Sequence, residues 1–345
     1  MKLSELTKQI KQAECTGDSD PDVKGLCYDS RKVGSGDLFF ALKGEKYDGL
    51  DYVESAINSG SVAVVAETEN PNSDHAVPWI KVPNGREAMS VMSDIFNNSP
   101  SEELTIIGVT GTNGKTTTSY MIHRLLDLGH RRSGLIGTIK YDLKSDNEIE
   151  ANRTTPEAID LQNYLSQMIS NGCCSAVMEV SSHALSQSRT SHVYYDVGVF
   201  TNLSHDHLDY HGNMDRYFNA KKILFDQLSN NEVKNKSVAV INSDDDWGRK
   251  LVHYLSNKKV KTVTYGLANG ADYRAVDLRL TKTSIEFAIE VGSRKFKSSI
   301  PLVGRFNIYN ALAALASCAA VGLNVRETVN NLKQLPQIPG RLESV

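Results

Sequence analysis

One segment limits the architecture of this chain more than any other. Leu104–Thr110 is an apolar run of strand length that opens through Gly111-Thr-Asn-Gly114 into Lys115-Thr-Thr117 and an amphipathic helix over Thr117–Leu128. A strand that ends in a glycine-rich turn and starts a helix at once gathers backbone N–H groups and the positive end of a helix dipole in one place. That is an anion site. The usual phosphate-loop spacing is G-x-x-x-x-G-K-[ST]. Here Val109 stands five residues before Gly114, so the match is to a shorter G-x-x-G-K-T form starting at Gly111. In this reading Lys115 reaches the β- and γ-phosphates of a nucleotide, and the Thr116 hydroxyl holds Mg²⁺.

The same strand–turn–helix pattern then repeats. Ala176–Val180, Val197–Thr201 and Val238–Asn242 read as buried strands, with helices over Pro156–Ser170, Asp215–Ser229 and Trp247–Ser256. Alternation of this kind predicts an α/β domain with a mostly parallel sheet covered by helices on both faces. Tyr273–Leu302 reads as strands turning at Gly292-Ser293, and Asn307–Val321 as an Ala- and Leu-rich helix. The first hundred residues read as a smaller α/β unit, with strands at Asp37–Leu42 and Ser61–Ala66 and helices at Leu50–Asn58 and Arg86–Phe96. Asn97-Asn-Ser-Pro100 marks a boundary, giving units over 1–100 and 101–338.

Composition removes several function classes. The net charge of −3 offers no basic field for nucleic acid. The most apolar stretch, Ala311–Val321, falls well short of the roughly 20 residues that span a bilayer. The charged N-terminus lacks the apolar core of a signal peptide, so a cytoplasmic protein without membrane insertion is expected. Five cysteines without a C-x-x-C pair argue against a disulfide scaffold and against a zinc ribbon.

Three further segments carry chemistry. Glu179 ends a strand, where open parallel sheets place their sites, and reads either as a Mg²⁺ ligand or as a helix cap. Thr201-Asn-Leu-Ser-His-Asp-His-Leu-Asp-Tyr-His-Gly212 follows another strand and packs three histidines and two aspartates into seven residues, which suggests a metal or phosphate role. In the helix Asp215–Ser229, Tyr217, Leu224, Phe225 and Leu228 form an apolar stripe with Lys221 at its middle and Lys222 near its edge. A lysine there either snorkels or acts. Burial favours a neutral amine, which reacts with CO₂ to give an anionic carbamate.

Together these residues resemble the Mur ligases. The resemblance rests on Thr110–Thr117, Tyr28-Asp-Ser-Arg31, Gly134–Ile139, Thr154-Thr-Pro156, Glu179–Leu185 with Gln187 and Arg189, Thr201–Gly212, Tyr217–Lys221, Gly304–Asn310 and Pro339–Glu343, in family order. It implies an ATP-dependent amide ligase that adds the third amino acid to UDP-MurNAc-L-Ala-D-Glu through an acyl phosphate. Its partners would be that UDP-MurNAc-dipeptide, ATP and an amino acid. It further implies that Tyr28 and Ser30 touch the uridine nucleotide, with Glu45–Tyr47 nearby. Thr154, Thr155, Ser181, Gln187 and Arg189 would hold the muramoyl-peptide. Gly111, Thr112, Asn113, Gly114, Lys115, Thr116, Thr117 and Thr118 would wrap the ATP phosphates, and Asn307 would lie near the adenine. Thr116, Glu179, His207 and a carbamylated Lys221 would serve Mg²⁺, with Lys115, Lys221 and His207 catalytic. Arg153 stands where the family pattern has Asn, Glu45–Lys46 matches loosely, and His205 occupies a variable position.

Residues 339–345 read as the start of a linker. In the family a third domain follows that linker and brings the amino acid, so a chain ending here is expected to bind its substrates and form little peptide bond. Three alternatives stand beside the ligase: a metallo-hydrolase built on His205–His211, a folylpolyglutamate-type ligase sharing the loop, and a non-catalytic relative that binds nucleotide and sugar.

Overall fold

The computed structural model describes residues 1–17, 19–44, 46–72, 77–146 and 149–337. Glu45 and the expected linker at 339–345 lie outside the described residues. The chain forms two compact units. The first comprises 1–99 together with 157–163 and 187–192, and the second the remainder from Pro100. The boundary falls at Ser99/Pro100, but two later segments return to the first unit. The reason is apolar packing: Ala158 and Ile159 join the cluster of Leu38, Phe40, Ile80 and Met92.

The first unit contains α1 (Leu3–Thr7), β1 (Glu14–Thr16), β2 (Gly25–Cys27), β3 (Asp37–Phe40), α2 (Val53–Asn58), β4 (Ala63–Ala66), β5 (Trp79–Lys81) and α3 (Gly85–Phe96). Its sheet runs β1-β5-β4-β3-β2, parallel except for β1. Side chains alternate across it with period two. Leu38, Phe40 and Val65 enter one core, while Phe39, Val64 and Trp79 enter the other. The helix expected over Leu50–Asn58 is two pieces. Asp48 accepts from Leu50 N at 3.1 Å and starts a 3-10 turn over Gly49–Tyr52, and only then does α2 follow.

The second unit contains α4 (Pro100–Glu103), β6 (Thr105–Thr110), α5 (Lys115–Leu128), β7 (Ser133–Ile136), β8 (Lys140–Asp142), β9 (Ile149–Glu150), α6 (Ala158–Ser170, its first turns counted with the first unit), β10 (Ser175–Glu179) and α7 (Ser182–Ser186). It continues with β11 (Val197–Phe200), α8 (Leu208–His211), α9 (Met214–Ser229), β12 (Val238–Asn242), α10 (Asp246–Leu255), β13 (Lys261–Gly266), β14 (Tyr273–Leu280), β15 (Ile285–Val291), β16 (Arg294–Ile300), α11 (Phe306–Ala320) and α12 (Val325–Asn331). The sheet order is β16-β15-β14-β13-β12-β11-β6-β10-β7-β8-β9. The central run β14-β13-β12-β11-β6-β10-β7 pairs in parallel throughout, with antiparallel extensions at both edges. Buried Ile107, Val109, Val177, Val199 and Val240 meet Ile122 and Leu125 of α5 and Leu312 and Leu315 of α11.

The mixed α/β class with mostly parallel sheets is as expected. β6 lies between β11 and β10, so the chain leaves it in opposite directions on its two sides. A crevice opens at such a switch point, beyond the C-terminal strand ends. The Gly-rich loop, Glu179 and Thr201 all lie there. No helix among the described residues is long and apolar enough to cross a membrane.

Candidate active site

The loop after β6 is shaped by one glycine that nothing else can replace. Gly111 has φ +145°, and a Cβ there would collide with the Thr201 hydroxyl. The segment after β11 braces the loop. Thr112 N donates to Asn202 O (2.8 Å), Asn113 N to Asn202 Oδ1 (3.0 Å), and Thr201 Oγ1 to Asn113 O (2.7 Å). Gly114 caps α5 in the left-handed region, so the helix starts at once and its first amides open toward the cleft.

Two ammonium groups meet one carbonyl of this loop. Lys115 Nζ donates to Gly111 O and Thr112 O, each at 3.0 Å, and Lys221 Nζ donates to the same Gly111 O at 2.9 Å. Lys221 is 1% exposed, on the buried stripe of α9 with Tyr217, Leu224, Phe225 and Leu228. Its ammonium lies 4.5 Å from the Tyr217 ring centroid. Burial, reinforced by the Lys115 charge, pulls its pKa well below the ordinary lysine range. The side chain does not snorkel out.

Opposite stands Glu179, fully buried at the end of β10. Its Oε1 accepts from Thr138 N (2.8 Å), and its Oε2 from Thr138 Oγ1 and Thr116 Oγ1 (3.0 Å each). The segments that follow β6, β7 and β10 thus converge on one carboxylate. Gly137 makes this possible, because a Cβ there would run into Glu179 Oε1. Thr116 gives its proton to Glu179, which leaves hydroxyl lone pairs for a cation. This hard-oxygen pair fits Mg²⁺, which takes one or two protein oxygens and completes its octahedron with water and substrate phosphates. Among the described residues no three His, Cys, Asp or Glu side chains form a metal cage.

A cleft of about 640 Å³ joins these parts. The loop, the start of α5, Thr138, Thr154 and Glu179 form one wall, and Leu302, Phe306, Asn307 and Asn310 the other. Asn307 is held by Val303 O (2.7 Å) and by Asn310 Nδ2 (3.0 Å), while Asn310 Oδ1 accepts from Thr118 Oγ1 (3.2 Å). Thr155 Oγ1 donates to Glu179 O (2.9 Å) and accepts from Ser181 N (3.0 Å), and Thr154 meets Thr138 at 3.1 Å.

The histidines of the 205–211 segment separate. His205 is exposed. His207 has a left-handed φ of 50° at the start of α8, its Nε2 3.4 Å from Asp206 Oδ2 and its ring in edge-on contact with His183 (5.0 Å between centroids). A non-glycine residue in that region is a strained position of the kind that gathers at functional sites. His211 is buried with Nε2 2.9 Å from Ser182 Oγ. Burial first, then the charges of His183, Lys221 and His207, push its pKa down to about 4.

In the first unit, Tyr28 donates to Asp160 Oδ2 at 2.7 Å, and Ser30 opens a 3-10 turn capped by Asp29. Arg189 is buried, with Nη2 2.6 Å from Gln187 Oε1 and 3.1 Å from Glu157 Oε1. Thr138, Phe306 and Asn310 lie in segments the sequence singles out, yet no role was read for them. A threonine after Gly137 and an asparagine inside an apolar helix give no periodic signal, and only the fold turns them toward Glu179 and Thr118.

Residues 109–318 match the Mur ligase middle domain, and residues 22–97 the Mur ligase family catalytic domain. The chain is 38% identical over its whole length to the UDP-N-acetylmuramoyl-L-alanyl-D-glutamate–2,6-diaminopimelate ligase 1 of Clostridium acetobutylicum, covering 69% of that protein. It is 40% identical over 346 aligned residues, again 69% of the relative, to the corresponding ligase of Geobacillus thermodenitrificans. A solved structure of a ligase of this name superposes over the whole chain with a TM-score of 0.84 at 30% identity, the chain covering 69% of it. The chain belongs to the Mur ligase family of ATP-dependent amide ligases.

Proposed function

We propose that this chain acts on UDP-MurNAc-L-Ala-D-Glu, with diaminopimelate as the amino acid joined to it. The relatives' names supply those substrates. The observation that carries the chemistry is the shared Gly111 carbonyl: two lysines meet at one carbonyl of a phosphate loop, and Lys115 lines the same cleft as Thr116 and Glu179.

A carboxylate is a poor acyl donor at neutral pH. Transfer of the γ-phosphoryl group from ATP gives an acyl phosphate and ADP. An amine then attacks the acyl carbon, phosphate leaves, and the amine gives up a proton. The protein's part is to hold two anions in line and offset their charge. Lys115 and the start of α5 take the polyphosphate, and Phe306 and Asn307 flank the base. Thr116 and Glu179 would hold Mg²⁺ with His207, and the ion would screen charge between the phosphates and the carboxylate. Burial favours the neutral form of Lys221, whose Nζ lone pair attacks CO₂ with release of one proton, so that a neutral amine at the loop becomes an anionic carbamate that would share the metal. Thr154, Thr155 and Ser181 would hold the peptide, as would Gln187 and Arg189, while Tyr28 and Ser30 would meet the uridine nucleotide. This reading assigns 1–100 to the UDP-sugar and 101–338 to ATP. The folylpolyglutamate-type alternative leaves the match over 22–97 without a use, and ADP release separates the ligase from a non-catalytic relative.

The test is ADP release and Mg-ATP calorimetry with UDP-MurNAc-L-Ala-D-Glu and a panel of diamino acids. ADP release should depend on the UDP-MurNAc-dipeptide. Lys115→Ala removes a charge-assisted phosphate contact of about 1.5–3 kcal/mol and should weaken ATP binding about ten- to a hundredfold. Equal ATP affinity in mutant and wild type would sink the phosphate-loop reading. Indifference to the dipeptide would sink the substrate.

A further inference from the structure

α8 is a single turn of four residues, and such a turn does not hold itself, because nucleating a helix costs more than its first hydrogen bond returns. Two left-handed residues bound it, His207 at φ 50° and Gly212 at φ 81°. Glycine adopts that conformation freely, whereas a histidine is strained in it. Strain of this kind persists only where the surroundings over-determine the backbone. Yet His207, Asp209 and Tyr210 are exposed, Leu208 is half-buried, and His211 is the one buried residue of the turn. The anchor of α8 is therefore His211, whose amide N donates to His207 O at 3.0 Å.

The His211 side chain is held from two sides. Its Nε2 lies 2.9 Å from the Oγ of Ser182, which is 2% exposed at the start of α7. Its ring packs at 31° against that of Tyr217 in α9, with centroids 5.0 Å apart, and the Tyr217 hydroxyl is 3.2 Å from Thr112 Oγ1 of the phosphate loop. Ring packing leaves room to slide, whereas a hydrogen bond has a length and a direction. The contact with Ser182 thus ties the segment after β11, which carries His207, to the segment after β10, which follows Glu179. Here the argument rests on the proposed assignment of Glu179 and His207 to Mg²⁺. Two ligands on separate segments grip one ion only when their spacing is kept, and the groups behind them keep it. We infer that the Ser182–His211 hydrogen bond is the strut that sets this spacing: His211 is a positioning residue that holds α8, and with it the strained His207, in register with Glu179. Neither Ser182 nor His211 is itself a ligand.

The experiment is calorimetry of ADP on the full chain, once with Mg²⁺ and once with EDTA in its place, which gives the ratio by which the metal strengthens binding. His207→Ala should shrink that ratio. Ser182→Ala should shrink it about two- to tenfold, the range of one buried hydrogen bond, and leave metal-free ADP binding unchanged. His211→Phe keeps a ring against Tyr217 and drops the nitrogen, so it should behave as Ser182→Ala does. His211→Gln, whose amide nitrogen can stand where Nε2 stood, should restore part of the ratio. A ratio that falls in His207→Ala but keeps its wild-type value in Ser182→Ala and His211→Phe overturns the strut and leaves the ligand assignment intact. So does a loss of ADP affinity equal with and without the metal, the mark of a merely structural role. A ratio that His207→Ala does not move overturns the ligand assignment, and this inference with it. Should His211→Phe fail to fold, Ser182→Ala decides alone, since it removes a single oxygen atom.

Discussion

At the scale of single residues, Lys221 makes the strongest demand on the protein. Lys221 sits in an apolar stripe and shares its acceptor with Lys115, and burial first, then the Lys115 charge, disfavours its ammonium form. Because the pKa is lowered, the neutral amine is present at pH values where an ordinary lysine is fully protonated. The expected outcome is a carbamate resonance on adding ¹³C-bicarbonate, its intensity rising with pH and absent in Lys221→Ala. An unmodified Lys221 in crystals grown with bicarbonate would refute it. The sequence made this residue visible through its place at the centre of a helical stripe. It could not show the Gly111 carbonyl, which arrives from a loop 110 residues away. Glu179 was legible by its strand end, but the three donors that hold it were not, since two of them come from Thr138, a residue without any pattern of its own.

Among elements, α5 is tied at both ends. Its start is the phosphate loop. Further along it, His123 and Asp127 meet Asp142 at the end of β8 and Lys144 just beyond, with Lys144 Nζ 2.8 Å from Asp127 and 3.3 Å from Asp142, and His123 Nε2 3.4 Å from Asp142. Burial acts to raise the Asp142 pKa. The hydrogen bond from His123, the Lys144 amide and the Lys144 charge outweigh it and leave it well below the usual carboxylate range. A depressed carboxylate contributes stability that is present above its unfolded pKa and is lost as pH falls through the native one. Asp142→Asn should therefore lower stability by about 1–3 kcal/mol at neutral pH. The difference from wild type should fade below about pH 3–4, where the unfolded carboxylate is protonated. Thermal melts across pH 2–7 check it, and a gap that persists undiminished at pH 2 would count against it. Sequence periodicity found β12 to the residue, and β6, β10 and β11 within one residue at each end, because all four are buried on both faces. It passed over β1, β2 and β5, which have three residues each, and over β13, whose Lys-Thr-Val-Thr-Tyr-Gly mixes polar and apolar positions near the edge of the parallel set. Runs so short or so polar carry too little hydrophobic signal to rise above a loop.

For the molecule as a whole, two compact units imply two ligand responses. A ligand that binds only the native form stabilises it by RT ln(1 + [L]/Kd), about 2.7 kcal/mol at a hundredfold excess over Kd. Mg-ADP should raise the melting of the second unit, and the UDP-MurNAc-dipeptide should add a separate increment through the first unit. A scan in which ADP shifts nothing would refute the nucleotide assignment. Asn97-Asn-Ser-Pro100 carries the turn chemistry on which a boundary near residue 100 was expected. The return of 157–163 and 187–192 was not, because no local pattern announces that Ala158 and Ile159 belong to a core formed a hundred residues earlier. That return has a consequence for synthesis. Domains generally fold as units as they leave the ribosome, the N-terminal one first. Here the first unit lacks two of its pieces until residue 192 has emerged, by which time β6, β7 and β10 of the second are already exposed. The two units must mature side by side, and no single cut of the gene yields either one whole.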